Sequence, residues 1–246
     1  MGLEYARQLA AQGYSPVIVS NRQDQLDSCV EELTRIRPDI DVLTHWADLA
    51  AEGAATGLHD WCREQGLMPE VLVCNAGMFF FEELSEGNLH KADTMVGLHV
   101  RTNTDLCILF GDEMKRRGRG RIIIVSSMAA RLPTPGIAIY SATKAYLLSF
   151  GKSLWFEMKP YGVKVTTVCP AAIATPLYNI RPSLMKLGVD TGIIHTPKWL
   201  VRRALRASER GRRVIRPSFM NVYLPALVAM LPAPVELRLW HKFNKK

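Results

Sequence analysis

Residues 126–144 read SSMAARLPTPGIAIYSATK, and the wiring of this stretch decides the fold. The Ser pair closes an apolar run, Arg121–Ser126 (RIIIVS), whose length and β-branched content suit a buried strand. A loop rich in Pro and Gly follows. From about residue 137 a helical pattern runs to 159, broken by Pro160 and Gly162. Tyr140 and Lys144 stand four residues apart on it, so both project from one helical face. A strand end thus delivers a hydroxyl opposite a helix carrying a phenol beside an ammonium, which is a proton-donating assembly.

Outward from that stretch, strand and helix alternate. Helical spacing covers 2–12, 22–36, 51–65, 88–117 and 197–209; short buried strands are predicted at 17–20, 41–46, 71–75, 163–169 and 213–215. Residues 170–196 read as irregular, and an apolar C-terminal segment broken by Pro225, Pro232 and Pro234 follows. Such alternation predicts an α/β fold, a doubly wound, Rossmann-like parallel sheet in a single domain over 1–246. Ligands of open α/β sheets bind beyond the carboxyl ends of the strands. Asn21-Arg22, Asp48-Leu49, Asn75-Ala76-Gly77, Ser126-Ser127 and Pro170 fall there. The start is unusual, because the first helix opens at residue 2 without a preceding strand, and Gly2 matches only the last glycine of a glycine-rich turn. The expectation is a sheet lacking its first strand and a coding sequence whose true start lies upstream of Met1.

Composition narrows the setting. Of 246 residues nearly half are apolar, enough for one sizeable core. Five scattered Cys form no C-x-x-C pair and read as buried free thiols of a reducing, cytoplasmic compartment. No apolar run reaches the length of a membrane span, and no signal peptide is evident. The net charge of +8 is concentrated: residues 198–246 hold twelve Lys/Arg against Glu209 and Glu236. That excess reads as a solvated basic surface, or as a patch for an anionic membrane or an anionic substrate carrier. No nucleic-acid-binding motif accompanies it, and no metal ligand set is predicted.

NAG at 75–77, Ser127 at a strand end, Y-x-x-x-K at 140–144, and Pro170 with Thr175 downstream occur in one order on fitting elements. Together they resemble the short-chain dehydrogenase/reductase family over most of the chain. Within it, LEYARQLA, LPTPGIAIYSATKAYLLSF and VTTVCPAAIATPLYNIR are similar to the 3-oxoacyl reductases of fatty-acid elongation and to 17β-hydroxysteroid dehydrogenases, with ketosphinganine reductases as neighbours. The resemblance implies NADPH-dependent reduction of a ketone on an apolar, lipid-like substrate. Tyr140 would be the proton donor and Lys144 its activator, since a nearby cation favours the phenolate. Ser127 would steady the substrate oxygen, and His99 stands where the family usually carries an Asn that holds a proton-relaying water. His99 reads equally well as a structural residue.

For the cofactor, the resemblance implies contacts from Gly2, Asn21, Arg22, Asp48, Leu49, Asn75, Ala76, Gly77, Tyr140, Lys144, Pro170, Ile173 and Thr175. Asn21 in place of an acid, with Arg22 beside it, favours NADP(H) over NAD(H), because an acid there would repel a 2′-phosphate and an Arg pairs with one. Asp48 reads alternatively as a helix N-cap. Residues 170–196 are expected to form a substrate lid, and 218–246 an apolar and basic extension able to lie at a membrane surface. A homo-oligomer is expected from the resemblance. The alternative function is a non-catalytic or cofactor-deficient binding protein on the same fold, motivated by the missing strand.

Overall fold

The computed structural model describes residues 1–132, 134–175 and 181–243. Among the described residues, six parallel strands lie between two helical layers, in two hydrogen-bonded sheets rather than one. The first sheet pairs β1 (Val17–Ser20) with β2 (Leu43–Trp46). The second runs in the order β3 (Val71–Cys74), β4 (Gly120–Val125), β5 (Val163–Val168), β6 (Val214–Ile215). β1 and β3 are not paired with one another, so the break falls where the sequence predicts a missing strand.

Helices nonetheless span the break on both faces. On one side lies α1 (Gly2–Ala10), beside α2 (Gln23–Ile36) and α8 (Pro197–Glu209). Tyr5 and Leu9 of α1 pack with Val71, Val73, Ile123 and Val125, while Ala6 and Ala10 meet Ile18 and Leu33. The amphipathic spacing that predicts α1 therefore serves both sheets. On the other side are α3 (Ala54–Glu64), α5 (Asn103–Arg117) and α6 (Ala138–Met158). Ala55, Leu58 and Cys62 of α3 and Leu106 and Phe110 of α5 cover Val19 of β1 and Leu72 of β3. All five cysteines are free and buried.

One element is refined by the structure, and two depart from the sequence reading. The helical region expected over 88–117 is α4 (Leu89–Val96), a π-helical stretch Gly97–Thr102, and then α5. The 170–196 segment is not wholly irregular, because Pro182–Asp190 forms α7, opened by a proline whose missing N–H costs nothing in a first turn. In the C-terminal segment Pro225 does not break the chain but sits inside α9 (Met220–Ala229). The carbonyl that a proline there leaves without a helical donor belongs to Asn221, and Arg131 Nη1 lies 3.5 Å from it. Asn221 Nδ2 also donates to the Cys169 carbonyl at 2.7 Å, docking α9 on the end of β5. After Pro232, α10 (Ala233–Phe243) follows. No described helix is long and apolar enough to cross a membrane.

Candidate active site

The end of β4 and the start of α6 are tied together by their own side chains. Ser126, buried, donates its Oγ proton to the Lys144 carbonyl at 2.7 Å. Ser127 accepts the Ala129 N–H at 3.1 Å, and the Met128 N–H donates to the Pro170 carbonyl at 2.8 Å. These bonds turn the chain sharply after β4 and leave Ser127, Tyr140 and Lys144 lining one cavity.

Lys144 lies buried, and its ammonium donates to the Val125 carbonyl at 3.1 Å. Loss of hydration lowers its pKa to about 8. Its Nζ stands 5.6 Å from the centroid of the Tyr140 ring. Phe79 and His99 meet that ring edge-on, at centroid distances of 5.0 and 5.9 Å. The phenol thus enters the cavity on a ring held from three sides.

His99 is delivered by the π-helical stretch. The wide turn frees the Leu98 and His99 carbonyls, and Asn103 Nδ2 donates to both, at 3.0 and 2.9 Å. Asn103 is thereby spent on backbone and does not reach the cavity. The His99 ring is fully buried, with Nε2 accepting the Met78 N–H at 3.0 Å and Nδ1 within 2.9 Å of Thr143 Oγ1. Desolvation, then the Lys144 charge, lowers its pKa to about 2, so the ring is neutral. Both ring nitrogens have protein partners. In this structure the ring joins the loop after β3 to α6.

The cavity, about 750 Å³, extends along the break between the sheets and over the strand ends. Gly2, Asn21, Asp48, Leu49, Asn75, Ala76, Gly77, Pro170, Ile173 and Thr175 all line it. Arg22 does not: its guanidinium pairs with Asp24, Nη2 to Oδ2 at 2.8 Å, and Asp24 lines the cavity instead. Asp48 is no helix cap; its Oδ1 accepts the Ala50 N–H at 3.0 Å, and α3 begins only after Gly53. Ile173 bridges to His195, which shapes the first part of the 170–196 segment. Pro176–Ile180, with the Leu177 expected in the lid, lie outside the described residues. Leu184, Leu187 and Ile193 are exposed, whereas Ile194 is buried against Gly188.

A dinucleotide fits the residues present. Asn75 Oδ1 is buried at the cavity wall without a hydrogen-bond partner among the described residues, an acceptor that a ligand donor would satisfy. A Cβ on Gly2 would come within 3.0 Å of Asn75 Nδ2, and one on Gly77 within 2.9 Å of His99 Nε2. The N-terminal turn of α1 opens on the cavity through Met1, Gly2 and Leu3, where unpaired amides and the helix dipole favour a phosphate. Sequence reasoning missed two members of the site. Thr143 lies inside the Y-x-x-x-K run, but its pairing with His99 crosses 44 positions. Asp24 is one turn beyond Asn21 on the first turn of α2, a place the strand-end rule does not reach.

A model of the family described as short chain dehydrogenase matches residues 1–183. The human very-long-chain 3-oxoacyl-CoA reductase is 28% identical, with 100% of this chain and 76% of that protein covered. The Bos taurus protein of the same name is 33% identical over 78% of this chain and 62% of its own length. Among solved structures, a short-chain dehydrogenase from Sphingobium yanoikuyae in complex with NADPH superposes with a TM-score of 0.77, at 23% identity, covering 94% and 93% of the two chains. A 7β-hydroxysteroid dehydrogenase gives 0.84 at 21% identity, covering 97% and 92%.

Proposed function

This chain belongs to the short-chain dehydrogenase family, and we propose that it is an NADPH-dependent reductase of a ketone carried on an apolar, lipid-like group, such as a 3-oxoacyl thioester. The observation that carries the reading is the convergence of Ser127, Tyr140 and the buried Lys144 on one cavity that also receives the strand ends. The names of the 3-oxoacyl-CoA reductases support the substrate class.

Reduced nicotinamide, when bound, supplies a hydride to the carbonyl carbon. The chain's own residues handle the oxygen. Tyr140 gives its phenolic proton to that oxygen as negative charge grows there. Ser127, its backbone turned by the bond to Ala129, can donate its hydroxyl proton to the same atom. Lys144, as an ammonium below about pH 8, stabilises the phenolate left behind. Gly2, Asn75 and Gly77 would hold the dinucleotide by close backbone approach. Arg22 could reach a 2′-phosphate by leaving Asp24, because an ion pair exposed on both sides is screened by water and holds its partners weakly. The segment 170–196 would cover the acyl group, with Leu184 and Leu187 of α7 available to it.

The test is Tyr140→Phe, assayed by NADPH oxidation with a 3-oxoacyl-CoA and by direct NADPH titration. Turnover should fall by about three orders of magnitude or more, a loss of about 4 kcal/mol of transition-state stabilisation, while NADPH affinity changes little. A variant that keeps full turnover refutes the mechanism. A wild-type chain that binds no NADPH favours the cofactor-deficient binding protein, a reading motivated by the edges of β1 and β3 that pair with no strand among the described residues.

A further inference from the structure

A second concavity lies between α8 and the outer strand β6, and it shares no residue with the large cavity. Its floor is Ala207, Val214 and Ile215. Its walls are six arginines: Arg202, Arg203, Arg206 and Arg210 from α8 and its end, and Arg212 and Arg216 flanking β6. The helical spacing puts Arg202, Arg206 and Arg210 in one row. Its volume is about 460 Å³, ample for a group larger than a single water or chloride.

None of the six guanidinium groups pairs with a carboxylate among the described residues. Glu209, the acid on this stretch of helix, points to Arg121 instead, Oε1 to Nη1 at 3.8 Å. Arg203 is also pre-placed, stacked on the Trp199 ring with its guanidinium carbon 4.4 Å from the centroid. Elsewhere on the surface, arginines such as Arg22, Arg35, Arg37 and Arg116 have acidic neighbours. Here the cations are gathered around a hollow without one. Guanidinium forks suit bidentate contact with phosphate oxygens, and an anion of two or more charges would relieve the mutual repulsion of the row.

We propose that the groove between α8 and β6 is a binding site for a phosphate-bearing ligand, a phosphomonoester or pyrophosphate group, independent of the large cavity. That chemistry is offered both by the headgroups of an anionic lipid surface and by the phosphates of a soluble substrate carrier.

The experiment uses the full chain with two probes. Inorganic pyrophosphate is titrated by calorimetry and thermal shift at low and high salt. Vesicles of phosphatidylcholine, with and without phosphatidic acid, are used for co-sedimentation. The variant is Arg202→Glu/Arg206→Glu/Arg210→Glu. Its control is Arg35→Glu/Arg63→Glu/Arg116→Glu, which makes the same change in net charge away from the groove. The wild type and the control should bind pyrophosphate with an affinity that falls with salt, and the groove variant should bind about tenfold or more weakly. Binding of pyrophosphate alone identifies a soluble phosphate ligand, and sedimentation that needs phosphatidic acid identifies the lipid headgroup; each supports the site if the groove variant weakens it by about tenfold or more. The proposal is overturned if the wild type binds neither probe, or if the control loses as much as the groove variant, which would make the effect one of net charge. Should the charge-reversed protein misfold, the Gln substitutions at the same three positions, checked by circular dichroism, decide between the same outcomes.

Discussion

His99 accepts the Met78 backbone N–H on Nε2 at 3.0 Å, and this bond sets the ring's chemistry. An acceptor at Nε2 leaves the proton on Nδ1, which donates to Thr143 Oγ1 at 2.9 Å. Thr143 in turn gives its hydroxyl proton to the Tyr140 carbonyl, also at 2.9 Å. The loop after β3 is thereby connected to the helical turn that separates Tyr140 from Lys144. Protonating His99 would turn Nε2 into a donor facing another donor.

That conflict predicts acid sensitivity. The folded-state pKa lies near 2, while the unfolded value is near 6.5. Between them the unfolded chain holds an extra proton, so stability falls as pH falls below 6.5, with a slope approaching about 1.4 kcal/mol per pH unit. Urea denaturation of wild type and His99→Asn from neutral pH downward should show a shallower acid slope in the variant. Parallel curves would remove His99 as the source.

Lys144 predicts the opposite limb. Its folded pKa is lowered from 10.5 to about 8 by burial. Below pH 8 both states are charged and the fold bears the full cost of burying the ammonium. Between about 8 and 10.5 the unfolded chain holds the extra proton, so stability contributed at this position rises with pH. The stability of wild type relative to Lys144→Met should therefore improve on going from neutral pH toward pH 10, measured by denaturant titration. A difference independent of pH would contradict the buried, desolvated ammonium.

Gly77 is tested through crowding. A Cβ there would stand 2.9 Å from His99 Nε2 and 3.7 Å from Lys144 Nζ. Gly77→Ala should push the imidazole off the Met78 N–H, destabilise the fold by about 1–3 kcal/mol, and lower kcat/KM for NADPH-dependent reduction by about tenfold or more. Chemical denaturation and steady-state kinetics check the two effects separately.

At Gly151, α6 crosses β5 so closely that a Cβ would overlap Thr167 Oγ1 and lie 3.2 Å from Ile124 Cδ1. Gly151→Ala is expected to cost about 1–3 kcal/mol. Adding Thr167→Ala, which removes a buried hydroxyl that has no partner among the described residues, should recover part of that loss in a double-mutant cycle. Simple additivity would show that the helix shifts rather than clashes.

The proposed 2′-phosphate contact is tested at Arg22 and Asp24. Arg22→Asp would remove the guanidinium and place a second carboxylate beside one that already lines the cavity. The ratio of kcat/KM for NADPH to that for NADH should drop by about tenfold or more. An unchanged ratio would assign the 2′-phosphate contact to another residue.

By itself the sequence determined the alternation of elements, and α8 over Pro197–Glu209 and β1 over Val17–Ser20 match the expected bounds. These are patterns of period 3.6 and short β-branched runs, both local in sequence. The strand-end residues and the Tyr140–Lys144 pair were also legible, because open α/β sheets bring carboxyl ends to one side and a helix aligns positions four apart. Only the tertiary structure decided what each side chain meets. His99 is engaged by Met78 and Thr143, 21 and 44 positions away; Arg22 turns from the cavity to Asp24; Pro225 rides inside α9, with Arg131 near the carbonyl it leaves unpaired. The Arg groove was visible in sequence as a charge excess, but its hollow shape came from packing α8 beside an outer strand. Hydrogen bonds and desolvation depend on which distant groups fold into contact, and no local pattern records that.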